Sequence, residues 1–415
     1  MQRVRMSIRY FENYGWESEV VTVDSQYADI VKDELLLQSI PSHIKIHKVK
    51  AFNKNWTSKL GLGSIALRSL WFYRKKVNQL LQNRKFDLIY FSTTQFPVCI
   101  LGNYWKKLFN IPYVIDMQDP WHSEYYRNKP KHEQPPKYWF SYRLNKYLEP
   151  MAMRHLDGLI SVSENYITDL KDRYPEIKNI PAATITFGAL AADLKIANDH
   201  QHLFKPILDT HTINIVYIGR GGADMNSAVS TLFEAFKNER ESEPELFNKI
   251  KLYFIGTSYA PTGQGKASIL PIAQQFGIED KVVEMTDRIS FYHTLATLQN
   301  ADALFIPGSD DPKYSASKIY PYLLTKKPLL AIFNSRSPAL EILEGCGARY
   351  AYSYGGTDKI ELKIIQFIKK IVSGDIGQQS YNDDYMQQYS AENLTRLQCE
   401  IFDQVITERQ TANNV

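Results

Sequence analysis

The segment Asn300–Phe333 places charged residues where parallel sheets bind ligands. Its pattern predicts a strand over Ala303–Ile306, then a polar loop, then a helix over Ala316–Thr325. Ligands of open α/β sheets bind at the carboxyl ends of the strands, and a helix N-terminus favours phosphate. The segment therefore predicts a site for a phosphorylated small molecule. Its candidate binding residues are Asp310, Asp311, Ser317 and Lys318.

A glycine-rich turn, Gly219-Arg220-Gly221, follows a second predicted strand, Ile213–Ile218. Glycines let backbone N–H groups approach a phosphate, and an arginine can bind a diphosphate through two hydrogen bonds. A turn that needs positive φ would also explain the glycines, but it would not explain the arginine. Asp224 stands where a dinucleotide fingerprint has its third glycine, which disfavours a dehydrogenase.

Asp119 and His122 are the candidate catalytic residues, because they follow the predicted strand Tyr113–Ile115. A carboxylate at the carboxyl edge of a sheet can orient or deprotonate an acceptor hydroxyl. Two alternatives stay open. The first is that Asp119 is a turn residue before Pro120, and the second is that His122 is an exposed histidine without a function.

Composition predicts a two-domain soluble protein. The chain has 415 residues, of which 44% are hydrophobic and 23% charged, and no apolar run reaches the roughly 20 residues of a membrane span. Three cysteines lie far apart and show no metal-ligand spacing. We therefore expect a reduced, cytoplasmic setting and no metal or other cofactor.

Positive charge is concentrated in the first half. Residues 51–150 contain 16 Lys and Arg against 6 Asp and Glu, an excess of 16 − 6 = 10. This excess predicts an anionic partner, such as the inner face of a membrane, to which the protein would bind peripherally. A solvated basic helix face would explain it equally well. Nucleic acid is disfavoured because no recognised binding motif accompanies the charge.

Strands and helices alternate along both halves, which predicts an α/β fold of two Rossmann-like domains facing a cleft. The expected domains span residues 1–200 and 210–385, around a polar linker near 190–211, and residues 386–415 contain a final helix. Met1–Tyr14 has helical spacing with arginines opposite its apolar residues, and Gly15 ends it. We therefore expect the first strand of the N-terminal domain to be missing, unless this is a natural variant without that strand.

Four segments carry a resemblance to a known family. They are Ile111-Pro-Tyr-Val-Ile-Asp-Met-Gln-Asp-Pro-Trp121, Asp157-Gly-Leu-Ile-Ser-Val-Ser163, Tyr217-Ile-Gly-Arg220 and Ser317-Lys-Ile-Tyr-Pro-Tyr-Leu-Leu-Thr-Lys-Lys-Pro328. Through them nearly the whole chain resembles the retaining GT-B glycosyltransferases of family 4. The last segment is similar to the form found in bacterial surface-polysaccharide enzymes.

The resemblance implies a nucleotide-sugar donor in the C-terminal domain, an acceptor in the N-terminal domain and no required metal. It implies that Arg220 holds the donor diphosphate, and that the last helix packs back on the N-terminal domain. The chain also departs from the family pattern. Lys313 and Pro321 replace two glutamates that contact the ribose and the sugar, and Gln118 replaces an arginine.

The leading hypothesis is transfer of a sugar from a nucleoside-diphosphate donor to a glycan or lipid-linked acceptor in cell-surface polysaccharide synthesis. The alternative is a catalytically degenerate protein of this fold that binds a nucleotide or a partner protein. A nucleotide-sugar epimerase is a weaker third reading, because no strong acid/base pair stands in the expected loops.

Overall fold

The chain folds as two compact units. The computed structural model describes residues 2–28, 33–124, 126–127, 129–131, 134, 137–311, 318–355, 359–377 and 379–413. The first unit contains the residues up to Phe187 together with those from Ala391 onward, and the second unit is Gly188–Ser390. The stretch that reads as a polar linker near 190–211 therefore lies in the second unit.

The secondary structure alternates as the sequence pattern predicts. The strands are β1 (Glu19–Val23), β2 (Lys45–Val49), β3 (Ile89–Ser92), β4 (Tyr113–Met117), β5 (Gly158–Ser161), β6 (Ala182–Thr184), β7 (Ile213–Ile218), β8 (Ile250–Ile255), β9 (Val282–Met285), β10 (Ala303–Pro307), β11 (Leu329–Asn334) and β12 (Tyr350–Tyr354).

The α-helices cover these strands. They are α1 (Gln2–Ser7), α2 (Lys54–Thr57), α3 (Ile65–Asn83), α4 (Ile100–Phe109), α5 (Tyr138–Met153), α6 (Glu164–Arg173), α7 (Ala191–Asp199), α8 (Asn226–Ser242), α9 (Pro244–Asn248), α10 (Leu270–Phe276), α11 (Phe291–Asn300), α12 (Ile319–Leu324), α13 (Pro338–Gly345), α14 (Ile360–Ser373), α15 (Asp383–Gln387) and α16 (Ala391–Asn413). In the part of the chain that the structure describes, none of them has both the length and the apolarity to span a membrane.

The second unit is built on a six-stranded parallel sheet with the order β12-β11-β10-β7-β8-β9. Its central strands are almost continuous apolar runs, since helices bury both faces of a parallel sheet. The chain starts at β7, proceeds outward through β8 and β9, and returns to β10 on the other side of β7. The carboxyl ends of β7 and β10 thus form the switch point where this class of sheet binds ligands.

The first unit contains two parallel sheets within the described residues, β1-β2 and β3-β4-β5-β6. The strands β4 and β5 are completely buried. Helix α16 closes this unit at the end of the chain: Gln398 donates a hydrogen bond to Ser7 of α1 at 2.8 Å, and the Phe402 ring packs edge-on against Trp16.

The amino-terminal helix differs from the sequence prediction. Helix α1 ends at Ser7, and a separate 3-10 turn over Phe11–Tyr14 ends at Gly15, whose φ is 79°. Two of the arginines expected on a polar face, Arg3 and Arg5, are instead buried. Arg3 is 1% exposed and forms an ion pair with Asp116 of β4, because only a counterion makes burial of a guanidinium tolerable.

Candidate functional site

Lys318 lies at the switch point of the second unit, one residue before α12. Its ammonium is 3.5 Å from the Tyr217 hydroxyl and 5.2 Å above the centre of that ring. It also lies against Gly219, where a Cβ atom would be 1.9 Å from Nζ, so a side chain at residue 219 would displace the lysine. Burial, Arg288 and Arg220 lower the pKa of Lys318 to about 8.

Arg220 lies in the same turn and is held by a carboxylate four residues later. Its two terminal nitrogens donate to the two oxygens of Asp224, at 2.8 and 2.7 Å. This pairing lowers the pKa of Asp224. Asp224 also accepts a hydrogen bond from Ser309 Oγ at 2.6 Å, which ties the turn after β7 to the loop after β10. The guanidinium is therefore held in a fixed orientation at the switch point.

Arg288, in the loop after β9, is the third cation at this edge, and the sequence patterns did not reveal it. Its guanidinium lies 3.9 Å from the centre of the Tyr259 ring, and its charge contributes to the lowered pKa of Lys318. Like charges repel at short range, and the described residues place no carboxylate in an ion pair with Lys318, so the arrangement is suited to an anion. Arg220, Arg288 and Lys318 are called the cation cluster below.

The predicted acidic residues belong to the supporting loop. The Asp310 amide donates to the Asp224 carbonyl at 2.6 Å, and its carboxylate accepts from Tyr354 at 2.8 Å. Burial and this bond raise the pKa of Tyr354 to about 12. The Asp311 amide donates to Ser309 Oγ at 3.2 Å.

Gly221 completes the turn after β7, and its amide donates to the Thr257 carbonyl at 2.8 Å.

Ser317 and Lys313 lie outside the described residues. Among the described residues, no group of three or more His, Cys, Asp and Glu side chains is placed to hold a metal ion.

Asp119 and His122 lie after β4 in the first unit, in contrasting environments. Asp119 is exposed, and partial desolvation raises its pKa. His122 is only 8% exposed, so it is not the surface histidine that one interpretation of the sequence expected. Burial lowers its pKa, and its Nε2 atom makes no hydrogen bond to the described residues. The nearest acidic group to that buried nitrogen is the Glu124 carboxylate, 3.8 Å away, which is too far for a hydrogen bond.

The loop that carries His122 is fixed by a buried glutamate. Glu149 of α5 accepts the His122 amide at 2.8 Å and the Tyr174 hydroxyl at 2.8 Å, and it forms an ion pair with Arg173. Gln118, which precedes Asp119, donates to Asp116 at 2.7 Å and to Ser92 at 2.9 Å. Gln118 therefore contributes to the interior of the first unit.

Comparison with known proteins identifies the fold. No protein-family model and no curated protein sequence matches the chain. Among solved structures, the N-terminal domain of Candida albicans trehalose-6-phosphate phosphatase covers 97% of this chain and 92% of its own length, with 13% identity and a TM-score of 0.58. A glycosyltransferase from Rickettsia africae covers 98% and 94%, with 12% identity and a TM-score of 0.52.

A third structure is a UDP-forming trehalose-phosphate synthase from Burkholderia xenovorans in complex with glucose-6-phosphate. It covers 93% of this chain and 90% of its own length, with 11% identity and a TM-score of 0.50. The chain has the GT-B fold. The predicted α/β class with two Rossmann-like domains is thereby confirmed, and in GT-B terms the cation cluster lies in the C-terminal unit.

Proposed function

We propose that this protein transfers a sugar from a nucleoside-diphosphate donor to an acceptor hydroxyl. The observation that carries the proposal is the cation cluster at the carboxyl ends of β7 and β10. Its three positive charges meet beside a glycine turn, where burial and the two arginines lower the pKa of Lys318 to about 8. A diphosphate supplies two adjacent anionic groups and fits this arrangement. The fold shared with a glycosyltransferase from Rickettsia africae supports the reaction class.

The proposed mechanism is electrostatic. As the bond between the sugar and the diphosphate breaks, negative charge grows on the leaving phosphate. Arg220, Arg288 and Lys318 stabilise that charge from fixed positions, which lowers the barrier without a required metal. The family resemblance suggests retention of configuration. In the first unit, the exposed Asp119 orients the acceptor hydroxyl, and the neighbouring His122 is the second candidate catalytic residue.

The acceptor and the cellular setting are part of the same proposal. The Ser317–Pro328 segment resembles that of bacterial surface-polysaccharide enzymes, so the acceptor we propose is a glycan or a lipid-linked sugar. Such acceptors are assembled on the cytoplasmic side of a membrane. The excess of basic residues within 51–150 supports a peripheral location on its inner face.

Calorimetric titration with UDP and GDP tests the donor site. Wild type is expected to bind at least one of the two, and Arg220→Ala to weaken that binding by about tenfold or more, because a charge-assisted hydrogen bond contributes about 1.5–3 kcal/mol. Asp119→Ala is expected to leave nucleotide affinity unchanged.

A double variant separates two effects of the Arg220 substitution. Arg220→Ala leaves Asp224 unpaired, and that carboxylate would itself repel a phosphate. Arg220→Ala with Asp224→Ala removes both charges, so any remaining loss of affinity belongs to the guanidinium. If folded wild type binds no nucleoside diphosphate, the proposal is wrong; if Arg220→Ala and Asp119→Ala weaken binding equally, the division of roles is wrong.

A second candidate function is a nucleotide-binding or partner-binding module without catalysis. The observation that favours it is the replacement of two family glutamates by Lys313 and by Pro321, which lies inside α12. Release of nucleoside diphosphate from a panel of nucleotide sugars, with and without lipid-linked acceptors, separates the two. Release that exceeds the Arg220→Ala background supports transfer or hydrolysis. Tight binding with no release from any donor supports the module.

A further inference from the structure

The first unit presents exposed aromatic side chains next to basic ones on three adjoining elements. The segment 52–62 contributes Phe52, Lys54, Trp56, Lys59 and Leu62, helix α3 contributes Trp71 and Lys75, and helix α5 contributes Trp139 and Arg143. Trp56 is 82% exposed and Trp139 is 64% exposed, although tryptophan is normally buried for most of its area. These nine residues are called the aromatic–basic face.

The segment 52–62 is an ordered part of the fold. The buried Arg68 donates to the Phe52 carbonyl at 2.7 Å, and its backbone carbonyl accepts the Phe52 amide. The Asn53 side chain caps α2, and the Leu62 amide donates to the Thr57 carbonyl at 2.9 Å. These hydrogen bonds fix the backbone of the segment, and the fixed backbone holds Trp56 at the surface.

Contacts join the three elements into one face. The Phe52 ring lies 6.5 Å from Trp71, and the Lys75 ammonium lies 5.3 Å above the Trp71 ring. On the other side, the Phe140 ring packs over Gly61, where a Cβ atom would be 3.1 Å away. Phe140 neighbours Trp139, which in turn lies 5.8 Å from the Arg143 guanidinium.

Helix α5 continues the pattern along its exposed side. Trp139, Arg143, Lys146, Tyr147 and Met151 recur at helical spacing, and all of them are exposed. The carboxylate of this helix, Glu149, is buried on the other side. A stripe of aromatic, aliphatic and cationic side chains without a carboxylate is typical of a helix that lies at a membrane interface.

The charge of the surrounding sequence favours a lipid partner over a protein or a neutral glycan. Residues 35–86 contain 11 Lys and Arg and no Asp or Glu. Arg68 is buried, and Lys45 and Arg84 pair with Glu19, so eight of the eleven contribute to the basic surface. Anionic headgroups attract such a surface at long range, aromatic rings settle at the level of the headgroups, and lysine stems extend past them to the phosphates. A neutral glycan would use the rings alone and would give the lysines no partner.

We infer that the aromatic–basic face is a membrane-docking surface that binds anionic phospholipid. Trp56, Trp71 and Trp139 insert at headgroup depth, and Lys54, Lys59, Lys75 and Arg143 pair with lipid phosphates. The inference rests on the peripheral membrane location proposed above and names the surface responsible for it. It does not depend on sugar transfer, since lipid binding requires neither donor nor acceptor.

Co-sedimentation of the full chain with vesicles tests the inference. Phosphatidylcholine vesicles in which one third of the lipid is phosphatidylglycerol are expected to bind the protein, and pure phosphatidylcholine vesicles to bind it much more weakly. Lys54→Gln with Lys59→Gln should weaken anionic binding about thirtyfold, since each basic residue near such a surface contributes ~1 kcal/mol. Binding should fall steeply as salt rises from about 0.05 M to about 0.5 M.

Trp56→Ala with Trp139→Ala tests the aromatic contribution, with an expected loss of about tenfold. Leu362→Ala and Lys249→Gln, exposed positions in the second unit, are the controls and should leave binding unchanged. Circular dichroism confirms that each variant is folded. Absent or salt-insensitive binding by folded wild type overturns the inference, as does equal binding by wild type and both double variants. Retention on a neutral glucan that is lost with the two tryptophans, without vesicle binding, would assign the face to polysaccharide instead.

Discussion

Lys318→Met is expected to weaken nucleoside-diphosphate binding by tenfold or more and, at the same time, to stabilise the unliganded protein. The ammonium is largely removed from water beside Arg220 and Arg288, so the folded state holds its charge at a cost. A pKa that falls from 10.5 to about 8 corresponds to about 3 kcal/mol at pH 7. Methionine keeps most of the side-chain volume and removes that cost. Under the proposed function a bound diphosphate offsets this cost, so affinity and stability should change in opposite directions.

The pH dependence gives this prediction a second readout. Between pH 8 and 10.5 the unfolded chain binds more protons at Lys318 than the folded chain, so the free energy of unfolding of wild type should rise through that window. Lys318→Met should lack this rise. Nucleotide affinity of wild type should decline above about pH 8, as the lysine loses its proton.

Scanning calorimetry without ligand measures the stability, and titration calorimetry with UDP or GDP measures the nucleotide affinity. Both measurements are repeated from neutral to alkaline pH. Lys249→Met is the matched control, because Lys249 is exposed at the amino edge of the same sheet, just before β8. It should change neither quantity. A Lys318→Met protein that is less stable than wild type and binds nucleotide equally well would show that the lysine is structural.

Arg3→Met is expected to destabilise the first unit by about 3–5 kcal/mol, although the substitution lies in the first turn of the first helix. Arg3 donates to Asp116 at 2.8 Å and to the carbonyls of Thr186 and Ile185. Methionine would leave a completely buried carboxylate without its counterion and two carbonyls without their donor. For a unit of this size the midpoint of thermal unfolding should fall by about 10 °C.

Tryptophan fluorescence isolates the relevant transition, because the six tryptophans, residues 16, 56, 71, 105, 121 and 139, all belong to the first unit. Urea unfolding followed by this signal should show the loss for Arg3→Met. Arg154→Met, at an exposed position after α5, should leave the curve unchanged.

The double variant Arg3→Met with Asp116→Asn removes both charges and should lose less stability than the sum of the two single variants. Strict additivity of the two substitutions would contradict the ion-pair explanation.

The local pattern of apolar residues was sufficient to predict the main strands and helices of this fold. Strand β7 lies where the sequence predicted it, at Ile213–Ile218, and β10 exceeds the predicted Ala303–Ile306 by one residue, because buried parallel strands are unbroken apolar runs. The helix predicted over Ala316–Thr325 is shorter, with α12 at Ile319–Leu324 within the described residues. The helical spacing of apolar residues does not by itself fix where a helix begins when its first turn has no clear cap.

The candidate site likewise contains residues that the sequence predicted and one that it did not. Arg220 and Lys318 were predicted because each follows a strand, one beside glycines and the other at a helix start. Arg288 follows β9 without any such pattern, and only the folded sheet brings its loop to the other two cations. The pairing of Arg3 with Asp116 joins residues 113 positions apart, and no spacing rule could reveal it.

The placement of α16 has a consequence for synthesis on the ribosome. The second unit is one uninterrupted stretch, Gly188–Ser390, whereas the first unit needs residues from 391 onward to cover Ile8 and Phe11. Domains fold as their residues emerge, usually with the N-terminal one first. Here the order is reversed, since the second unit is complete before the first has received its last helix. Until then we expect the nascent first unit to expose the apolar surface that α16 later covers, which is the kind of surface that chaperones bind.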